Sequence, residues 1–273
     1  MNNDIFSLKG RVAAVIGGAG VLGSAIAAAF GRAGARVAIA DLKGAPEAAA
    51  KLAAAGIEAK GYAANAMEKP SVEAARDAII RDFGSVNILL NAVGGNMPDA
   101  TTGPEKPIWN MPIPALEKVV GLNLFGGAIV PSQVFCQAMA ANPAGGSVIN
   151  IASMNAIRPL TRIPGYSAAK AAVANWTMWF AVHIAKEYNP KLRVNAIAPG
   201  FFLTEQNRFL LTERQGGGWT ERGKTILAHT PMGRLGEPDD LAGAVIWLAS
   251  DASAFVTGTV IPIDGGFSAF SGV

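Results

Sequence analysis

The chain has 273 residues, 51% of them hydrophobic and 16% charged, with a formal net charge of +3. That composition excludes a disordered polypeptide, and the length is ample for a sizeable core. The Lys and Arg residues are dispersed, which excludes the clustered basic footprint of a nucleic-acid-binding protein.

In chain order, residues 11–16 predict a strand and 21–33 a helix, followed by a strand over 36–40 and a helix over 45–55. A third strand over 58–63 precedes a helix over 71–83, and a fourth over 86–91 precedes a helix over 115–140. Residues 147–151 read as a fifth strand, 164–187 as a helix and 192–197 as a sixth strand, with a helix over 239–248 and a strand over 260–263 closing the chain. Strands that are apolar throughout are buried on both faces, as in a parallel sheet covered by helices. Strict alternation implies right-handed crossovers. The expected fold is α/β: a Rossmann-type, doubly wound, parallel seven-stranded sheet with helices on both faces. No linker or repeat divides it, so residues 1–273 read as one domain.

Cys136 lies in an apolar stretch and reads as a small core residue; a lone cysteine excludes an intrachain disulfide and a cysteine-based zinc site. The two histidines are far apart, and no metal is expected. The N-terminal segment lacks the apolar stretch of a signal peptide, and no apolar run is long enough to span a bilayer without Gly and charge interruptions. A soluble, cytoplasmic protein is the expectation.

Two segments are longer than ordinary connections, 92–114 and 198–238. Loops of this length after strand ends lie at the ligand crevice of a doubly wound sheet, and the second is expected to be a substrate lid. At the opposite side of that crevice stands Gly17-Gly18-Ala19-Gly20-Val21-Leu22-Gly23, between the first strand and the first helix. Such glycines let the backbone approach a pyrophosphate, and the helix start supplies free N–H groups. Asp41, at the end of the second strand, suits the adenosine ribose hydroxyls and repels a 2′-phosphate, favouring NAD; Lys43 nearby keeps NADP open.

Tyr166 and Lys170 are four residues apart on a predicted helix and share a face. An ammonium beside a phenol is expected to lower its pKa toward neutrality, making Tyr166 a general acid/base. Ser153, at the end of the fifth strand, places a hydroxyl for a substrate oxygen.

These features resemble the short-chain dehydrogenase/reductase family over nearly the whole chain. The glycine turn carries the resemblance, with Asn91-Ala92-Val93-Gly94, Asn123 in Gly121-Leu122-Asn123-Leu124, Ser153, Tyr166-Ser167-Ala168-Ala169-Lys170, the run Arg193 to Gly200, Val256-Thr257-Gly258 and Asp264-Gly265-Gly266. The resemblance implies that Tyr166 is the acid/base, that Ser153 polarises the carbonyl, that Lys170 holds the nicotinamide ribose and tunes Tyr166, and that Asn123 supports a water-mediated proton relay. It also implies cofactor contacts from Gly17, Gly20, Val21, Leu22, Gly23, Asp41, Asn65, Ala66, Asn91, Ala92, Gly94, Tyr166, Lys170, Pro199, Gly200 and Phe202, and a homotetramer or homodimer. The chain departs from the family pattern at Ile16, usually Thr, at Val21, usually Gly, at Ala92 in the second position of Asn-Asn-Ala-Gly, and at Asn65, usually Asp.

For substrate, the amide-rich crevice segments offer Asn96, Asn155, Gln206 and Asn207 for hydroxyls, and Arg162 or Arg208 for a carboxylate. These segments are similar to the D-mannonate oxidoreductase (fructuronate reductase) branch of the family, which implies D-mannonate and D-fructuronate or a related sugar acid. Loop-ordering roles for the same amides and arginines stay open, as does packing rather than contact for His229. Alternatives are a reductase of another polyol, keto-sugar or acyl ketone, and a non-catalytic nucleotide-sensing protein. Phe125, Phe135, Trp176, Trp179 and Phe180 either fill the core or form an oligomer face, and the tail 267–273 is read as able to close a neighbour's pocket.

Overall fold

The computed structural model describes residues 4–203, 211–213 and 218–272. Seven strands form one sheet: β1 (Val12–Ile16), β2 (Arg36–Asp41), β3 (Ala59–Ala63), β4 (Ile88–Asn91), β5 (Gly146–Ile151), β6 (Leu192–Pro199) and β7 (Val260–Ile263), in the order β3-β2-β1-β4-β5-β6-β7 with every pair parallel. The expected seven-stranded, doubly wound sheet is what the chain builds. The strand order reverses between β1 and β4, so a crevice opens at their carboxyl ends.

Alternate residues of one strand feed two cores. Val12, Ala14 and Ile16 of β1 pack with α3 (Lys69–Phe83), α5 (Val130–Ala140) and α6 (Pro164–Glu187), through residues such as Ile79, Phe135 and Phe180. Ala13 and Val15 face α1 (Val21–Arg32), α2 (Ala45–Ala54) and the last helix, through Ile26, Phe30, Leu52 and Leu248. Burial on both faces removes the period-2 polarity of an exposed sheet. Cys136 is buried, and desolvation pushes its thiol up, out of reach of ordinary thiolate chemistry.

Three differences from the sequence reading have physical causes. The helix expected over 115–140 runs as α4 (Ile113–Val120), a π-helical stretch (Gly121–Ile129) and α5. Within it the Asn123 side chain donates to the Val119 carbonyl at 2.8 Å and competes with the helical ladder. Gly127 brings the same stretch against β4's outgoing loop, where a Cβ would meet the Val93 carbonyl at 2.4 Å. Residues 113–140 together are long and apolar enough to cross a bilayer by length and composition, but they carry Glu117, Lys118 and three glycines, and most of that surface is buried within the protein. Second, the segment 198–238 contains α7 (Glu221–Ala228), capped by Thr220, whose Oγ accepts the Gly223 N–H at 3.1 Å. Its short apolar stripe, with Ile226 packed on Leu211 and Leu235, is hidden among glycines and charges. Third, the closing helix begins with a 3₁₀ turn (Pro238–Leu241) and becomes α8 (Ala242–Ala249).

The aromatic residues divide. Phe135 and Phe180 are core, Trp176 is partly buried, and Phe125 and Trp179 stay about half exposed. The tail folds onto its own chain: Phe267 packs on Phe201 and His229, and Arg158 donates to the Ser268 carbonyl at 3.0 Å.

Candidate active site

Ser153 follows the last residues of β5, and the first two turns of α6 carry Tyr166 and Lys170. The Ser153 hydroxyl lies on the side of the Tyr166 phenol, where it favours the ionised form, and it accepts the Asn155 N–H at 3.2 Å. Lys170 is 2% exposed; its Nζ donates to the Ile151 carbonyl at 2.7 Å and lies 5.6 Å from the centroid of the Tyr166 ring. The lysine thus presents its charge to the ring face while the serine serves the hydroxyl.

The titration of this pair corrects the sequence expectation. Burial pushes the Tyr166 phenol up, and the Ser153 hydrogen bond opposes that shift without reversing it. Burial pulls Lys170 down to about 8. Each group resists charge because each is desolvated, so the unliganded protein holds a phenol beside a weakened ammonium.

Asn123 is fully buried and its amide is spoken for. Nδ2 donates to the Gly95 carbonyl at 2.7 Å and the Val119 carbonyl at 2.8 Å, and Oδ1 accepts the Gly95 N–H at 3.1 Å. Its side chain clamps the loop after β4 to the π-helical stretch. Gly94 keeps that junction open, since a Cβ there would stand 2.6 Å from Asn123 Oδ1 and 3.1 Å from Lys170 Nζ.

Across the switch point, the glycine turn is bare backbone. Gly17 has φ 82°, and a Cβ on it would lie 2.8 Å from the Ala92 carbonyl carbon; at Gly23 a Cβ would lie 2.3 Å from the Gly17 oxygen. Gly20 caps α1 without any side-chain bond, leaving the first N–H groups of Val21, Leu22 and Gly23 for a pyrophosphate. Asp41 is held at the turn by its Oδ2, which accepts the Ala19 N–H at 3.0 Å. This surface fits a dinucleotide.

Several expected contacts fall elsewhere. Asn91 turns its side chain into the interior, donating to Ser132 Oγ at 3.0 Å and Asn150 Oδ1 at 2.8 Å, because β4 is buried on both faces; only its backbone can face a cofactor. The network continues from Asn150 to Thr177, neither of which the sequence singled out. Phe202 is buried, with its ring against Gly236, so it too can offer only backbone. Asn65 spends its amide on a turn, donating to Glu68 and accepting the Met67 N–H, and Ala66 beside it is buried. Pro199 ends β6, and Gly200 passes so close to Asp264 that a Cβ would meet it at 2.6 Å.

Among expected substrate contacts, Asn155 is 2% exposed and orders its loop: Oδ1 accepts the Leu160 N–H at 2.7 Å and the Ser167 hydroxyl at 2.8 Å. Its Nδ2 is buried too and has no hydrogen-bond partner among the described residues. Asn96 is exposed and binds Thr101 Oγ1 at 2.8 Å. Arg162 is exposed, with its carbonyl accepting the Thr102 N–H at 2.8 Å. His229 closes α7, its Nδ1 2.9 Å from the Thr225 carbonyl, and stacks loosely on the tail aromatics. Gln206, Asn207 and Arg208 lie outside the described residues, as does part of the expected lid.

Comparison with known proteins places this geometry. The family model described as enoyl-(acyl carrier protein) reductase matches residues 17–268. The Bacillus subtilis oxidoreductase UxuB, itself uncharacterised, is 44% identical over 98% of both chains. The 5-keto-D-gluconate 5-reductase of Escherichia coli K12 is 33% identical over 97% of this chain and 98% of its own. A crystal structure of a Haemophilus influenzae protein with bound NAD, provisionally assigned as a D-mannonate oxidoreductase, superposes with a TM-score of 0.90 at 39% identity over 98% of each chain.

Proposed function

The chain belongs to the short-chain dehydrogenase/reductase family, and from that premise we propose that it is an NAD-dependent oxidoreductase interconverting the alcohol and ketone of a sugar acid, above all D-mannonate and D-fructuronate. The observation that carries the chemistry is the grouping of Ser153, Tyr166 and Lys170, with the buried lysine over the tyrosine ring. The sugar-acid assignment is supported by the 5-keto-D-gluconate reductase and by the NAD-bound Haemophilus protein.

Gly17, Gly20 and the start of α1 would hold the pyrophosphate, Asp41 the adenosine ribose, and Lys170 the nicotinamide ribose. The nicotinamide supplies the hydride when bound. In the reductive direction, Ser153 and Tyr166 donate hydrogen bonds to the ketone oxygen, and Tyr166 Oη passes its proton to that oxygen as the carbinol forms. Because burial already favours the neutral phenol, Tyr166 is poised as the acid. Oxidation would need the phenolate, which a protonated Lys170 over the ring would favour. Asn123, fixed by its side-chain bonds to Gly95 and Val119, would support a water-mediated proton relay.

The half-exposed Trp179, with exposed Val182 on the same helix and Tyr188 just past its end, supports a symmetric homotetramer or homodimer. A lone buried cysteine suits a reducing cytoplasm. The test is oxidation of NADH, followed by absorbance, with D-fructuronate beside neutral keto-sugars and simple ketones. Rapid turnover of D-fructuronate supports the assignment; turnover of neutral ketones alone removes the sugar acid and leaves the Tyr166 chemistry.

A further inference from the structure

Ser153 and Tyr166 stand at opposite ends of an irregular connection. It leaves β5, makes a 3₁₀ turn (Met154–Ala156), passes through the positive φ of Arg162 at 75° and enters α6 at Pro164. No regular ladder of backbone hydrogen bonds runs from one end to the other, so the spacing of the two reacting hydroxyls has to be fixed by side chains.

Asn155 touches that connection at three places. Its own N–H donates to Ser153 Oγ at 3.2 Å, and its Oδ1 accepts the Leu160 N–H at 2.7 Å and the Ser167 hydroxyl at 2.8 Å. One residue thus meets the serine, the middle of the loop and the peptide neighbour of Tyr166. The side chain is almost fully buried, where water does not compete for these bonds. Its Nδ2 has no partner among the described residues, so the amide is held in the interior by its oxygen alone, at the cost of an unpaired donor. The backbone bond also orients the serine. An N–H occupies one lone pair of Oγ, so the hydroxyl proton points elsewhere and can be given to a ketone oxygen.

We infer that Asn155 is a positioning residue for the reaction: it braces the loop 154–163 against the first turn of α6 and so sets the Ser153 hydroxyl relative to Tyr166. This role rests on the proposed chemistry of Ser153 and Tyr166 and not on which ketone is reduced. Asn155 itself touches neither substrate nor cofactor in this role. Its effect reaches the reacting oxygen through the serine it orients and through the helix start it ties down.

The test is a double-mutant cycle with Ser153, read with whichever ketone of the D-fructuronate panel the wild type reduces. Asn155→Ala lowers kcat about 10–100-fold, as expected for a misplaced reacting group, and leaves the KM for NADH within about threefold. In a Ser153→Ala background the same substitution costs less than about threefold, because the hydroxyl it positions is gone. Ser167→Ala, which removes only the bond to α6, repeats the pattern at smaller amplitude and keeps the cycle usable if Asn155→Ala does not fold. A full kcat in Asn155→Ala, or a loss of equal size in both backgrounds for either variant, overturns the inference while the proposed function stands. If the wild type reduces none of the ketones, the proposed function fails and hydrogen exchange decides the brace. Exchange of peptides spanning 154–163 then rises about tenfold or more in Asn155→Ala and Ser167→Ala, and unchanged exchange overturns the inference.

Discussion

The two sides of the crevice are built differently. Where β1 meets α1, the wall is main chain: at Gly17 and Gly23 a Cβ would strike backbone, and the only side chain in play is Asp41, which braces the turn. Where β5 meets α6, the wall is side chain: a serine, a tyrosine, a lysine and an asparagine amide held by burial and hydrogen bonds. A wall of backbone tolerates almost no substitution but needs no tuning. A wall of side chains gets its chemistry from how deeply each group is buried.

The largest way to break the side-chain wall is Tyr166→Phe. We expect kcat to fall by roughly 10²–10⁴-fold, with NADH affinity, read by calorimetry, nearly intact. Loss of cofactor binding in step with turnover would assign Tyr166 a structural rather than chemical role.

A second experiment reads burial itself. Lys170 is pulled from an ordinary 10.5 to about 8 in the folded protein. Between those values the unfolded chain binds more protons than the native one, so stability rises with pH across that window and the gain is absent below about 8. The swing is on the order of 3 kcal/mol. Denaturant titrations at pH 7.5 and 10 should show it as a difference between wild type and Lys170→Met, which cannot titrate. Parallel curves for the two proteins would mean that Lys170 is well solvated.

The backbone wall is broken by Gly23→Ala. The new methyl group would force α1 away from the Gly17 carbonyl. We expect a loss of about 1–3 kcal/mol in stability and weaker NADH binding, both visible in thermal melts with and without NADH. An unchanged melt would show that the turn has slack.

The smallest effect sharpens the comparison at its one side chain. Asp41→Ser removes a charge beside the ribose, and the NADH over NADPH preference in kcat/KM should drop by about tenfold or more. No change would hand cofactor choice to Lys43 or to the main chain.

The comparison also marks how far the sequence could be read. The seven strands, the glycine turn, Ser153, Tyr166 and Lys170 were legible because each follows from local pattern: continuous apolar runs, glycines between a strand and a helix, and a four-residue helical spacing. The side chains of Asn155 and Asn91, read as candidates for ligand contact, hydrogen-bond within the protein, since an amide looks the same in sequence whether a loop or a ligand takes its hydrogen bonds.

The sequence by itself determined the sheet, the glycine turn after β1 and the four-residue spacing that puts Tyr166 and Lys170 on one helix face, because periodicity and backbone freedom are properties of neighbouring residues. Only the tertiary structure decided the desolvation of Lys170 and the side-chain engagement of Asn123. Those depend on desolvation and on contacts between segments far apart in the chain, and no local pattern encodes the depth at which a charge will sit.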